Sequence, residues 1–200
     1  MNEKLTIRDL AHIGVFLVIY YVLIGLMSMT FVLLGMGATD PFLAWLCFGG
    51  APFMTGVVAG PVVMLLMTKV QKAWGFFIFG MLSPLALWAT GHTWIVPAIS
   101  VFFVGLAEFI LRKGHFKSLK AMTLAYACFN IWAMTPFFAV LWIQFMQTRM
   151  VEKMGKNLVM TIFTFPHMLG IVGVAFVGGL IGAFLGRKMI KKHFHKAGIV

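Results

Sequence analysis

The stretch ATGHTWIVPA, residues 89–98, lies inside a run, 73–107, that contains no Asp, Glu, Lys or Arg. A histidine, two threonines and a tryptophan interrupt an otherwise apolar segment there. Either one bent membrane helix crosses the whole run, or the chain doubles back near Gly91 and makes two. The choice sets the topology of everything downstream, and the topology decides where a ligand could be met.

Composition settles the solvent first. The chain is 62% hydrophobic and 10% charged over 200 residues, and its mean hydropathy is +0.99. A soluble globule needs roughly a quarter of its residues charged to cover its surface, so this chain is expected to dissolve in lipid. A net charge of +11 would suggest nucleic acid in a soluble protein. Here the bases sit in short clusters between apolar runs, the pattern of a multi-pass membrane protein, and no nucleic-acid partner is expected. The first apolar run continues uncharged to Thr39, longer than the ~7–15 residues of a signal-peptide core, so it is expected to be retained. Cys47 and Cys128 both fall in apolar segments, which argues against a structural disulfide, and two cysteines make no metal site.

A span needs ~20 apolar residues. Four are plain: about 10–36, 41–68, 119–147 and 157–190. Pro136 and Pro166 fall inside the last two, where they read as tolerated kinks. Charge decides the rest. With two spans, 73–90 and 94–113, the bases fall on alternate sides. One side holds Lys4 and Arg8; Lys69 and Lys72; Arg112, Lys113, Lys117 and Lys120; and Arg187, Lys188, Lys191, Lys192 and Lys196. The other keeps Arg149, Lys153 and Lys156, three of the 16. With one span the asymmetry largely vanishes. The expectation is an all-α integral membrane protein of six transmembrane helices in one domain, 1–200, in the plasma membrane with both termini cytoplasmic. The outer connections are then 37–40, 90–93 and 148–156. Gly91 gives the hairpin turn its backbone freedom, with Trp88 and Trp94 as interface aromatics on either side.

The motifs of familiar enzymes are missing. There is no G-x-x-x-x-G-K-[ST] phosphate loop, no H-E-x-x-H and no G-x-S-x-G, so neither an ATPase nor another enzyme is expected. The five acidic residues are Glu3, Asp9, Asp40, Glu108 and Glu152. Glu3 and Asp9 belong to the N-terminal flank, and Glu108 stands four residues before Arg112, the spacing of a helical ion pair. No intrinsic cofactor is expected.

Polar and soft residues gather instead at the expected outer ends. Helix 1 closes with Met36 before Asp40; the turn offers His92 and Trp94; helix 5 leaves through Gln144, Met146 and Arg149; helix 6 begins with His167 and Met168. Bundled, they would form one outward bowl with apolar walls and a few polar anchors, as a small-molecule site requires. Plainer readings stand beside these: methionines pack cores, Trp94 anchors an interface, and Asp40 caps helix 2 ahead of Pro41. Helix 6 also carries Gly178, Gly182 and Gly186 at every fourth position, a smooth face for packing inside the bundle or for docking another membrane subunit.

The whole chain resembles a known group. The start KLTIRDLAHIGVFLVIYY, the turn TGHTW and the tail GRKMIKKHFHKAGIV are similar to those of the substrate-binding S components of energy-coupling factor (ECF) transporters, in the Trep_Strep branch. That resemblance implies a six-helix protein that captures a micronutrient outside the cell. It then delivers it by docking on a transmembrane coupling subunit driven by two cytoplasmic ATPases. Docking in that class uses small residues of helix 1; Ala11 and Gly14 match, while Leu17 and Val18 are bulky departures. Helices rich in Met, Phe and Trp suggest a flat, apolar cargo. Haem or a related tetrapyrrole is the first expectation, with His92 and His167 as iron ligands and Arg149, Lys153 or Lys156 meeting its propionates. A vitamin-like aromatic heterocycle stacked on Trp94 is the second, and a structural or regulatory membrane protein without a ligand is the rival class.

Overall fold

A computed structural model describes residues 4–142 and 144–194, with the side chains of all of these except 142, 144–147, 149, 193 and 194. Every regular element among the described residues is helical. α1 (Ile7–Gly37) starts at Thr6, whose backbone N–H donates to Asp9 Oδ2 at 2.8 Å while Asp9 N–H donates to Thr6 Oγ1 at 3.3 Å. Two otherwise orphaned donors are satisfied by this box, and Lys72 closes on the same carboxylate at 2.8 Å. α2 (Pro41–Lys69) starts at Asp40, whose Oδ1 accepts from Leu43 N–H at 2.8 Å with Pro41 in the first turn.

α3 (Gly75–Ala89) and α4 (Ile95–Lys113) are separate helices joined by a tight turn, so the chain does double back at Gly91. Five helical stretches are long and apolar enough to cross a membrane: Ile7–Gly37, Pro41–Lys69, Ile95–Lys113, Leu119–Leu141 and Phe165–Lys192. α3, with 15 residues, measures about 22 Å at ~1.5 Å per residue, short of a ~30 Å hydrocarbon core.

Three boundaries differ from expectation, each for a local reason. The expected fifth helix is divided into α5 (Leu119–Asn130), a 3-10 turn (Ile131–Met134) and α6 (Thr135–Trp142). Pro136 cannot donate to the Trp132 carbonyl one turn back; Thr135 Oγ1 donates to it instead, at 2.7 Å. Residues 148–154, expected as loop, belong to α7 (Gln144–Met154), which stops at Gly155 with φ +83°. Pro166 does not kink a helix. It opens α9 (Phe165–Met189) in its first turn, and a short α8 (Lys156–Ile162) precedes it, a position where the missing N–H costs nothing. A π-helical turn, Ile190–Phe194, follows α9.

Contacts give the directions of travel. α2 and α9 lie parallel with a constant offset of 122 residues from Trp45 and His167 through Gly56 and Gly178 to Gly60 and Gly182. α1 runs antiparallel to α2, with Ser28 bonded to Thr55, and α5 does too, with Tyr126 on Gly56 and Asn130 on Pro52. At one end Leu5, Val70, Leu111, Phe116 and Ile190 share a single core. At the other, Phe48, Phe137 and Phe163 centre a second one. The tips of the hairpins α1–α2, α3–α4 and α6–α9 meet at this second end.

Candidate functional site

The turn after α3 ends it in a specific way. Gly91 N–H donates to Trp88 O at 3.0 Å and His92 N–H donates to Leu87 O at 3.2 Å, with Gly91 at φ +99°. This is the paired C-terminal bonding that a left-handed glycine permits. It folds half-buried His92 back over Leu87, and both residues line the same cavity.

The cavity has a volume of about 220 Å³. α1 supplies Ile24, Ser28, Val32 and Met36; the 3-10 turn and α6 supply Trp132, Pro136, Phe137 and Val140; α7 adds Met150. No charged side chain is among its described lining residues. Ser28 Oγ is bonded to Thr55 Oγ1 at 3.1 Å. Trp132 Nε1 donates to Tyr20 Oη at 2.8 Å, so its polar edge is already used and its ring is held in place. His92 is different: its Nδ1 is buried and has no hydrogen-bond partner among the described residues. A buried polar group left unpaired costs ~1–3 kcal/mol, and such a group in a cavity wall is free to pair with whatever enters.

Two larger concavities lie nearby. An open trough of about 710 Å³ runs between the α1–α2 connection and the α7–α8 tip, past Met36, Thr39, Lys153, Lys156 and Asn157. A groove of about 420 Å³ is lined by Phe42, Trp45 and His167. Size favours the trough, but small-molecule sites bury most of the ligand's surface, and the 220 Å³ cavity, the least open of the three, meets that condition best.

The expected site residues separate accordingly. His92 and Met36 line the cavity. Trp94 is exposed at the start of α4 and lines none of the three spaces, whereas Trp132 lines the cavity. His167 faces the separate groove, its Nδ1 sharing a 2.6 Å hydrogen bond with Thr164 Oγ1, so the structure does not bring it to His92. Asp40 is occupied as a helix cap. Met168 is fully buried in the second core. The side chains of Gln144, Met146 and Arg149 lie outside the described residues. Of the expected docking residues, Ala11 and Gly14 are exposed on α1. Gly178 and Gly182 are buried against α2 backbone, so of the two readings offered for them, packing inside the bundle and docking another subunit, the structure shows the packing.

Sequence reading missed Trp132, Ser28 and Met150. A serine and a tryptophan within uncharged apolar runs were visible, but only the break before Pro136 turns Trp132 toward α1. A family model described as a hypothetical bacterial integral membrane protein (Trep_Strep) matches residues 7–196. No curated protein and no solved structure matches the chain.

Proposed function

The chain belongs to the Trep_Strep family of bacterial integral membrane proteins, and from that premise we propose that it is the substrate-capture subunit of an ECF-type importer. In this reading it crosses the membrane six times. α3 is the shortest span, with exposed Trp74 and Trp88 at its ends as interface anchors. The Lys69–Lys72, Arg112–Lys120 and Arg187–Lys192 clusters face the cytoplasm, and the cavity end faces outward. The protein hydrolyses no ATP; a coupling subunit and two ATPases supply the energy.

One observation carries the proposal. Where the hairpin tips meet, an apolar cavity holds a histidine whose Nδ1 is buried without a partner among the described residues. Of the five buried side-chain polar atoms without a partner among the described residues, it is the one that lines this cavity. The cavity's size favours a small aromatic heterocycle, ring against Trp132 and a polar ring atom on His92. A tetrapyrrole is the less favoured cargo: His92 and His167 line separate concavities, and the cavity is smaller than the ~300–1,000 Å³ of drug-sized sites.

The test is thermal unfolding of the purified full chain with the small molecule that co-purifies with it. A ligand at a hundred times its Kd adds ~2.7 kcal/mol of stability, so the melting temperature should rise in the wild type and much less in His92→Ala. Added haem should give no His92-dependent Soret shift. No ligand-dependent rise with any co-purified molecule would leave a structural or regulatory protein as the reading.

A further inference from the structure

Met36 borders two spaces at once. It lines both the 220 Å³ cavity and the 710 Å³ trough, and among the described residues it is the only one common to both linings. The two spaces differ in chemistry. The described lining of the cavity is apolar apart from His92 and a serine already bonded to Thr55. The trough carries the exposed ammonium groups of Lys153 and Lys156 beside Thr39 and Asn157, and no carboxylate is among its described lining residues.

Those lysines are placed against the general trend of the chain. Of the 16 basic residues, only Arg149, Lys153 and Lys156 fall on the side expected to face outward, and two of them line this trough. Neither takes part in an ion pair among the described residues. Asp40, the nearest acid in the α1–α2 connection, is turned to the α2 N-terminus. Glu152, exposed beside Lys153 in the chain, is not among the trough's described lining residues. Two unpaired cations in a trough that shares Met36 with an apolar cavity attract and orient an anion.

We infer that the captured ligand is a small amphipathic anion. Its apolar, ring-bearing end occupies the cavity beside Trp132 and His92, and its anionic group lies in the trough against Lys153 and Lys156. Met36 forms the neck between them. An unbranched thioether suits a neck, because its three rotatable bonds let it move aside without backbone rearrangement. The inference rests on the capture reading above and adds the ligand's charge and its orientation. A neutral heterocycle would leave the lysine pair unused, and a cation would be repelled by it.

The experiment isolates the full-length protein from its membrane in nanodiscs, releases bound small molecules with organic solvent and identifies them by mass spectrometry in both ion modes. Wild type, His92→Ala and Lys153→Gln/Lys156→Gln are compared, each with its melting temperature. The expected result is one stoichiometric small anion on the wild type. The double glutamine variant should carry about tenfold less or lower still, with an unchanged melting temperature when empty, since both lysines are exposed. A neutral or cationic molecule on the wild type overturns the inference and leaves the capture reading standing. So does an anion that the double variant retains in full, or an anion that proves to be a phospholipid. Absence of any stoichiometric small molecule overturns both.

Discussion

Glu108 shows how far one residue's surroundings exceed its sequence pattern. The spacing to Arg112 announced an ion pair, and Arg112 Nε does donate to Glu108 Oε1 at 3.1 Å. The same oxygen also accepts the backbone N–H of Trp74 at 2.8 Å, and the Arg112 guanidinium lies 4.5 Å above the Trp74 ring. Trp74 sits at φ +70°, a left-handed conformation that costs a bulky residue roughly 1–2 kcal/mol. The buried carboxylate holds it there. Glu108→Ala should therefore lower stability by about 2–3 kcal/mol, because it unseats both donors at once. Glu108→Gln, which keeps an acceptor for Trp74, should lose clearly less. Melting temperatures of the purified variants decide, and equal losses would deny the backbone bond its role. His92 teaches the complementary lesson: its residue type was conspicuous among apolar neighbours, but its inward direction came from the bonds of the turn.

Among the elements, the pairing of α2 with α9 is the tightest contact. A Cβ built on Gly60 would meet the backbone of Gly182, and one built on Gly182 would meet the carbonyl of Gly56. Nothing flexible stands in either place to yield. In lipid, where apolar burial gives no preference for helix over acyl chain, close backbone approach is what holds helices together. Gly60→Ala and Gly182→Ala should each cost about 1–3 kcal/mol. Gly173→Ala, on the same helix with nothing within 4 Å of its added Cβ, should be neutral or slightly stabilising. The regular spacing of Gly178, Gly182 and Gly186 was visible in the sequence; its partner was not. The matching glycines of α2, Gly56 and Gly60, stand in the run T-G-V-V-A-G-P, and the register that unites the two helices spans 122 residues of chain. Asn130 reinforces it, donating to Pro52 O at 3.0 Å and Ala175 O at 2.7 Å.

For the whole molecule, the proposed orientation makes a direct prediction. In a Cys47→Ser background, Thr90→Cys in the α3–α4 turn should react with a membrane-impermeant maleimide on intact cells. Lys117→Cys, in the α4–α5 connection, should react only after permeabilisation. The reverse pattern would put the cavity on the cytoplasmic side and remove the capture reading. Apolar content, charge clustering and the uncharged run around Gly91 by themselves determined a helical membrane protein that doubles back at Gly91, because hydrophobic length and charge position act locally along the chain. They also marked His92 and Met36. Only the tertiary structure decided that His167 faces another groove, that the α9 glycines are spent on α2, and that Trp132 walls the cavity. Those facts depend on which helix face meets which neighbour, and in a chain apolar on nearly every face that choice is made by backbone fit between segments far apart in sequence.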